Sequence, residues 1–181
     1  MAASNDLILR YQWEAYMECK SLEPANCLIG EGFTSFPEAK NPKEYTRKYV
    51  SDKTERTDVI GYAPSIEYSA DMMSADPVVK EIAKIHDNEL VGAATHRKIT
   101  MVNRWEESVD SCPAFQRVFA IIPNSKGEGT DALVYSGVMK AVGDQVAGTW
   151  KPSTKTFTPT GAEAASVLKA NAEAPKTDPK K

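Results

Sequence analysis

Asp76-Pro77-Val78-Val79-Lys80-Glu81-Ile82-Ala83-Lys84-Ile85-His86-Asp87 is the stretch of this 181-residue chain written in clear helical period. Asp76 suits an N-cap because its carboxylate can accept from the free amides of a first turn, and Pro77 has its φ preset for the first helical position. Val78, Ile82 and Ile85 recur at i, i+4 and i+7; Val79 and Ala83 widen the stripe, while Lys80, Glu81 and Lys84 fall outside it. Asn88 follows as a stop, since asparagine tolerates the left-handed conformation that ends helices. The pattern predicts a three-turn helix over about 76–88, lying on a sheet.

Strand signals flank it on both sides. Upstream, Thr57, Val59, Gly61 and Ala63 alternate with Asp58, Ile60 and Tyr62, and Ile66, Tyr68 and Ala70 alternate with Glu67, Ser69 and Asp71. Pro64 lacks a donor and breaks or bends the ladder between them, so two linked strands and one bent strand fit equally well. Downstream, after a Gly92-Ala-Ala-Thr95 linker, strands are expected over Arg97–Trp105, Phe115–Ile122 and Thr130–Val142. Pro123 to Gly129 is expected as a turn, and Ser136-Gly137 as a bulge. Gln145–Trp150 and Lys155–Phe157 then form a closing hairpin around Lys151-Pro-Ser-Thr154.

Toward the N-terminus, residues 4–10 are expected as a short polar arm, and Tyr11, Trp13, Ala15 and Met17 alternate with polar neighbours as a half-buried strand does. Cys27-Leu-Ile29 is closed by Gly30-Glu-Gly32, a tight turn or bulge. Pro37, Pro42 and Pro64 punctuate the polar text from Phe33 to Ser65. There Tyr45, Arg47 and Tyr49 share one strand face and Thr46, Lys48 and Val50 the other, as in an exposed or edge hairpin. Strands, one helix, then more strands make an α+β chain, mostly β and antiparallel. From Pro159 onward alanine, lysine, proline, threonine and glutamate displace the core-forming residues, and 159–181 is expected as a flexible tail.

Composition places the chain among globular proteins: 41% of residues are hydrophobic, 26% are charged and the formal net charge is −3. That acidity disfavours tight phosphate neutralisation as the chain's main business. No apolar run approaches the roughly 18 residues of a membrane span. No signal peptide is visible, so residence in the cytoplasm is expected. Cys19, Cys27 and Cys112 contain no Cys-x-x-Cys pair and are odd in number, which argues for free thiols rather than a disulfide framework or zinc site.

Catalytic constellations are hard to assemble from what remains. His86 and His96 lack the partners and spacing of a metal site, and Gly30-Glu-Gly32 lacks the third glycine and following helix of a nucleotide loop. Ser108 and Ser111 lie in an acidic loop without the Gly-x-Ser-x-Gly geometry that exposes a nucleophile. Glu106, Glu107 and Asp110 are read as a solvated loop edge. Tyr45-Thr-Arg-Lys-Tyr49 interleaves bases with aromatics as single-stranded nucleic-acid sites do, but docking on another subunit accounts for it with fewer assumptions.

The order and spacing of Trp13, Cys27-Leu-Ile-Gly30-Glu-Gly32, Asn41-Pro42, Tyr45, Tyr49-Val-Ser-Asp-Lys53 and Thr57 to Ile66 resemble the tail tube (major tail) proteins of long, non-contractile-tailed bacteriophages. The resemblance covers about residues 10–158. It implies an antiparallel β-sandwich or barrel-like core with one flanking α-helix, an N-terminal arm at 1–10, a single domain at 11–158 and an extended hairpin at about 41–57. It implies rings, typically of six subunits, that stack into a hollow tube for DNA delivery. Subunit-interface candidates are Asn41, Tyr45, Arg47, Tyr49, Lys53 and Arg56, and lumen candidates are Glu67 and Asp71. The implied partners are further copies of the chain, the tape measure protein, the tail terminator and baseplate proteins, and genomic DNA that passes without specific binding. No cofactor, metal or catalytic residue is implied, and the place of action would be the virion tail, assembled in the host bacterial cytoplasm. Two other readings keep the same strands: a tube subunit of a contractile injection particle, and a monomeric β-sandwich binding module.

Overall fold

The computed structural model describes residues 6–20, 26–128 and 130–160. In chain order these form β1 (Trp13–Glu18), β2 (Asn26–Ile29), β3 (Phe33–Ser35), β4 (Glu38–Ala39), β5 (Pro42–Arg47), β6 (Arg56–Tyr62), β7 (Ser65–Asp71), α1 (Pro77–Asp87), β8 (His96–Asn103), β9 (Cys112–Glu128), β10 (Val134–Ala141), β11 (Val146–Lys151) and β12 (Thr156–Pro159). One antiparallel ten-stranded sheet holds all strands but two, with β2, β1, β8, β9, β10, β7 and β3 side by side. The remaining two, β5 and β6, pair only with each other. The fold is therefore mostly β, antiparallel and curled like a half-barrel, with one helix against it, the barrel-like form of the expected architecture.

β9 is the hub. One edge pairs with β8 from Ala114 to Ala120, and the other pairs with β11 from Cys112 to Gln116 and then with β10 from Phe119 to Glu128. The turn expected at Pro123 is instead strand, and the ladder shows why. β8 stops opposite Ala120, so beyond that point nothing on that side needs an amide from Pro123. On the other side Pro123 stands opposite Gly137 at a register shift. The irregularity falls where a bulge was expected, but the extra residue is Asn124 on β9 rather than Ser136 or Gly137 on β10. A Cβ on Gly137 would meet the Ile122 carbonyl and the Tyr68 hydroxyl at 2.5 Å, so glycine here lets Tyr68 cross beneath β10.

The main core lies between the sheet and α1. Val78, Ile82 and Ile85 of the helix pack with Ile66, Tyr68, Ile99, Phe119, Ile121 and Met139 of the sheet. Asp76 caps the helix, accepting from the amides of Val78 at 2.7 Å and Val79 at 3.2 Å. Glu81, expected on the solvent side, is only 4% exposed. Its carboxylate accepts from Nε of Arg97 on β8 at 3.0 Å and from a terminal guanidinium nitrogen at 2.6 Å. The same guanidinium donates to the carbonyls of Ala94 at 2.8 Å and His96 at 2.7 Å, so this buried charge pair ties helix to sheet.

The helix stops differently from expectation. Asn88 takes φ −99°, and the left-handed residue is Glu89 at φ +48°. The amide of Glu89 returns to the His86 carbonyl and that of Leu90 to the Ile85 carbonyl, the paired bonds of a Schellman motif, with Leu90 packed against the core. A side chain in this conformation costs about 1 kcal/mol that glycine does not incur. Glu89→Gly is therefore expected to raise the stability of the chain by about that amount, read as a higher denaturant midpoint at unchanged slope.

A second, smaller core sits on the opposite face of the sheet, where Tyr16, Val102, Cys112, Ala114 and Trp150 are buried together and Phe157 packs on them. Tyr16 and Trp150 stack with ring centroids 4.3 Å apart. Strict alternation would leave Tyr16 in solvent, but β11 and β12 make that end of the sheet two-sided. Arg10–Gln12 is a 3-10 turn rather than the start of the expected strand, which begins at Trp13. The arm is also less polar than expected, with Leu7 84% exposed and Ile8 52% exposed. Gly92–Thr95, expected as a linker, forms another 3-10 turn. The tail expected at 159–181 lies outside the described residues from 161 on, as do residues 1–5 of the arm.

Candidate assembly interface

β5 and β6 leave the body as a hairpin that no third strand joins among the described residues, and every residue from Pro42 to Ser51 is exposed. Asn41 anchors its base. At φ +44° it directs its side-chain amide to the Ala63 carbonyl at 3.1 Å and the Ser65 hydroxyl at 2.9 Å, while its carbonyl accepts from the Ala63 amide at 3.1 Å. This expected interface residue thus fixes the angle at which the hairpin departs.

Further out, Tyr45 faces Asp58, Thr46 faces Thr57 and Arg47 faces Arg56. The two threonine hydroxyls bond at 3.0 Å. Arg47 and Arg56 are like charges directly opposed, which destabilises a strand pair in isolation. Each is diverted to another partner: Arg47 lies over the Tyr45 ring at 5.4 Å, and Arg56 pairs with Asp52 at 2.9 Å and lies over Tyr49 at 5.9 Å. Tyr49 lies past the end of β5, not on the expected strand face, because the chain turns there and the Asp52 amide donates to the Tyr49 carbonyl. Lys53 is exposed in the same tip loop. The structure gathers Arg47, Tyr49 and Arg56 near the tip, leaves Tyr45 on the shaft and places Asn41 at the root.

The register slips between Lys43 and Glu44, with Gly61 opposite Lys43 and Val59 opposite Glu44. Ile60 is the extra residue. The slip undoes the simple alternation expected over 57–63: Val59 and Tyr62, opposite Glu44 and Pro42, share the face that carries the threonines. Val59 is 53% exposed, Ile60 66% and Tyr62 62%, an apolar surface on an element that a lone strand pair barely holds in water. The polar hairpin text announced an exposed element, and among the described residues no third strand covers these apolar side chains.

Glu67 and Asp71, the lumen candidates, lie on β7 with side chains on the face away from α1, opposite Val138 and Val134 of β10. Glu67 is exposed and Asp71 half-buried. Glu67 lines a shallow concavity with Ser69 and Ser136, and Asp71 lies further along the same face of β7.

At the helix end a polar cluster has formed. The Tyr68 hydroxyl and His86 Nε2 lie 2.8 Å apart, His86 meets the Tyr135 ring edge-on at 5.1 Å, and Asp87 accepts from Lys126 at 2.7 Å and from the Tyr135 hydroxyl at 3.3 Å. Burial pushes the Tyr68 hydroxyl pKa up; burial likewise pushes the His86 pKa below its usual 6.5, outweighing the neighbouring Asp87 carboxylate, while Lys126 adds a smaller push downward. Lys126 holds the Asp87 carboxyl below the usual carboxylate range. Above pH 6.5 the imidazole is neutral in both folded and unfolded chains. As pH falls below that value the unfolded chain takes up the proton first, so the stability contributed by neutral His86 is lost on the way down to its folded pKa. Thermal melts from pH 7.5 to 5 are expected to fall more steeply for the wild type than for His86→Gln.

Among the described residues no group of three or more His, Cys, Asp or Glu is placed to hold a metal ion, and no helix is long and apolar enough to cross a membrane. No protein-family model matches this sequence, and no curated protein matches it. A chain in the tail of an empty GTA particle, determined by helical refinement with C6 symmetry, superposes at TM-score 0.52 with 12% identity, over 77% of this chain and 97% of that one. The fold is shared with a particle tail. A chain of the anti-feeding prophage (AFP) baseplate, 6-fold symmetrised, aligns at TM-score 0.49 with 8% identity, over 80% of this chain and 97% of the other.

Proposed function

We propose that this chain is a structural subunit of a phage-type tail tube, closing into rings, six copies in each, that stack into a hollow conduit for DNA. It acts by assembling rather than by turning over a substrate, and its place is the tail of the particle. The observation that carries this reading is the hairpin: a solvent-exposed pair of strands with apolar residues on one face and opposed arginines on the other is unfavourable alone and becomes favourable when another subunit covers it. The shared tail fold supports the same reading. A ring needs a head-to-tail contact that closes by rotation, and a tube needs a second contact along the axis. Among the described residues no strand pairs with β9 beyond Ala120 on its β8 side, an edge suited to side-by-side strand addition, and the hairpin with the Leu7–Tyr11 arm suits the axial contact. Glu67 and Asp71 would then give an acidic wall past which DNA slides without releasing counterions. Tape measure, terminator and baseplate proteins would meet the tube at its ends, and the described β body, with the arm at 1–10, would be its repeating unit.

Negative-stain electron microscopy across a concentration series, with light scattering on the same samples, tests this. Rings or tubes of uniform diameter are expected; a monomer at every concentration would favour a β-sandwich binding module. Lys substitutions at Glu67 and Asp71 are expected to leave ring formation intact and to slow DNA passage, and unchanged passage would remove both residues from the lumen.

A further inference from the structure

Where the hairpin meets the body, Lys40, Tyr62, Pro64, Arg117 and Gln145 line a pocket of about 410 Å³. Arg117 belongs to β9 at the point where the strand changes partners. Two residues on, Phe119 pairs with Ala141 at the end of β10, and one residue back, Gln116 pairs with Val146 at the start of β11. The chain between those strands stays tied to β9 at Val142, whose amide donates to the Val118 carbonyl at 2.8 Å, and it brings Gln145 to the pocket wall. Pro64 is held there by its carbonyl, which accepts from the Ala141 amide at 3.0 Å.

Arg117 is anomalous in this setting. Its Nε is buried without a hydrogen-bond partner, and among the described residues no carboxylate pairs with it. Arg97, which is buried outright, shows what the fold does when it supplies its own counterion: it is met by Glu81 and two carbonyls. A guanidinium left half-desolvated with an unpaired donor costs stability unless an acceptor arrives from elsewhere. Lys40 adds a second positive charge at the rim, already drawn to Glu38 at 2.6 Å, while Tyr62 and Gln145 add a hydroxyl and an amide. Two cations, a tyrosine and an amide converging on one concavity are the groups that grip a carboxylate, with the planar guanidinium able to bind both of its oxygens.

We infer that this pocket receives an Asp or Glu side chain from a second copy of the chain, and that the half-buried Arg117 is the anchor of a subunit contact at the hairpin root. The inference rests on the reading that the chain assembles with itself, and adds where one contact is made and by what chemistry. A second copy is favoured over a free anion because the pocket is rimmed by Tyr62, 62% exposed and continuous with the hairpin face that needs covering. The chain also carries 25 acidic residues against 22 basic ones, so carboxylates are abundant on any approaching copy. Arginine and tyrosine in a desolvated pocket are the residue types that concentrate interface energy.

The test mixes copies labelled with nitrogen-14 and nitrogen-15, allows them to assemble, and treats them with a carbodiimide, which condenses an amine with an adjacent carboxylate into an amide. Mass spectrometry is expected to find Lys40 joined to an Asp or Glu of the other isotope; Lys40 joined only to its own Glu38 would overturn the inference. In parallel, Arg117→Leu is expected to weaken self-association about tenfold or more in sedimentation velocity while keeping or raising the melting temperature, and Arg117→Lys to lie between. If wild type and Arg117→Leu assemble alike, this contact is wrong and the tube reading stands. If the wild type stays monomeric at every concentration, both fall. If acetate alone raises the melting temperature of the monomer and no cross-copy amide forms, the pocket takes a free anion and the inference is overturned.

Discussion

Glu81→Ala is expected to destabilise the chain by about 3–5 kcal/mol, because it leaves the Arg97 guanidinium, 3% exposed, without its counterion beneath the helix. The loss comes from the charge left behind rather than from the bond removed. Replacing both partners by apolar residues of similar size, as in Glu81→Leu with Arg97→Met, is therefore expected to recover most of it, since the Ala94 carbonyl lies in an exposed turn and can turn to water. Chemical denaturation of the two single variants and the double variant measures the effect directly. A single-variant loss below about 1 kcal/mol would mean that water reaches the pair and that helix and sheet are joined by their apolar contacts alone.

Trp150→Ala is expected to cost a similar amount, about 3–5 kcal/mol, for a different reason. Trp150 is fully buried and stacks on Tyr16, and the second core has few other residues with which to fill the space it would vacate. Trp150→Phe, which keeps a ring against Tyr16, is expected to retain well over half of the lost stability. The measurement is again a denaturant midpoint, with near-ultraviolet circular dichroism to report on the packing of Tyr16. If Trp150→Ala costs no more than Trp150→Phe, the far face is loosely packed and the main core carries the fold by itself.

Much of the fold was legible in the sequence wherever a local rule and the tertiary environment agreed. Asp76 and Pro77 start the helix as their chemistry dictates, because nothing outside the first turn competes for the amides they govern. Gly137 stands at the irregularity expected there, but the extra residue is on β9, and the reason for the glycine, room for Tyr68, could be seen only once β7 lay beside β10. The misses share a cause: each depended on a partner distant in sequence. Glu81 reads as a solvent residue until Arg97, 16 positions on, is folded beneath it. Pro123 reads as a turn until β8 stops short and leaves that edge without a claim on its missing amide. Tyr16 reads as exposed until β11 brings Trp150 over it.

Of the interface candidates, the hairpin as a unit was legible from its polar, proline-flanked text. The roles within it were not, since the shift in register at Glu44 comes from a bulge that no periodicity announces, and the pairing of Arg47 with Arg56 is set by the turn that joins the two strands. Arg117 was missed because an arginine between apolar strand residues looks no different from any solvated base. What sets it apart is the absence of a described counterion, which only three-dimensional neighbours reveal.

The uninterrupted run of β9 gives the molecule a direction of strength. Seventeen residues at about 3.3 Å each span roughly 55 Å, and along that length the strand is stitched to β8, β10 and β11 in turn. A force applied along it loads many backbone bonds in shear at once, whereas a force across it opens them one after another like a zip. The subunit should therefore be stiff along the β9 axis and yielding across it, a grain like that of wood, and single-molecule pulling between paired attachment sites would read that anisotropy as two very different rupture forces.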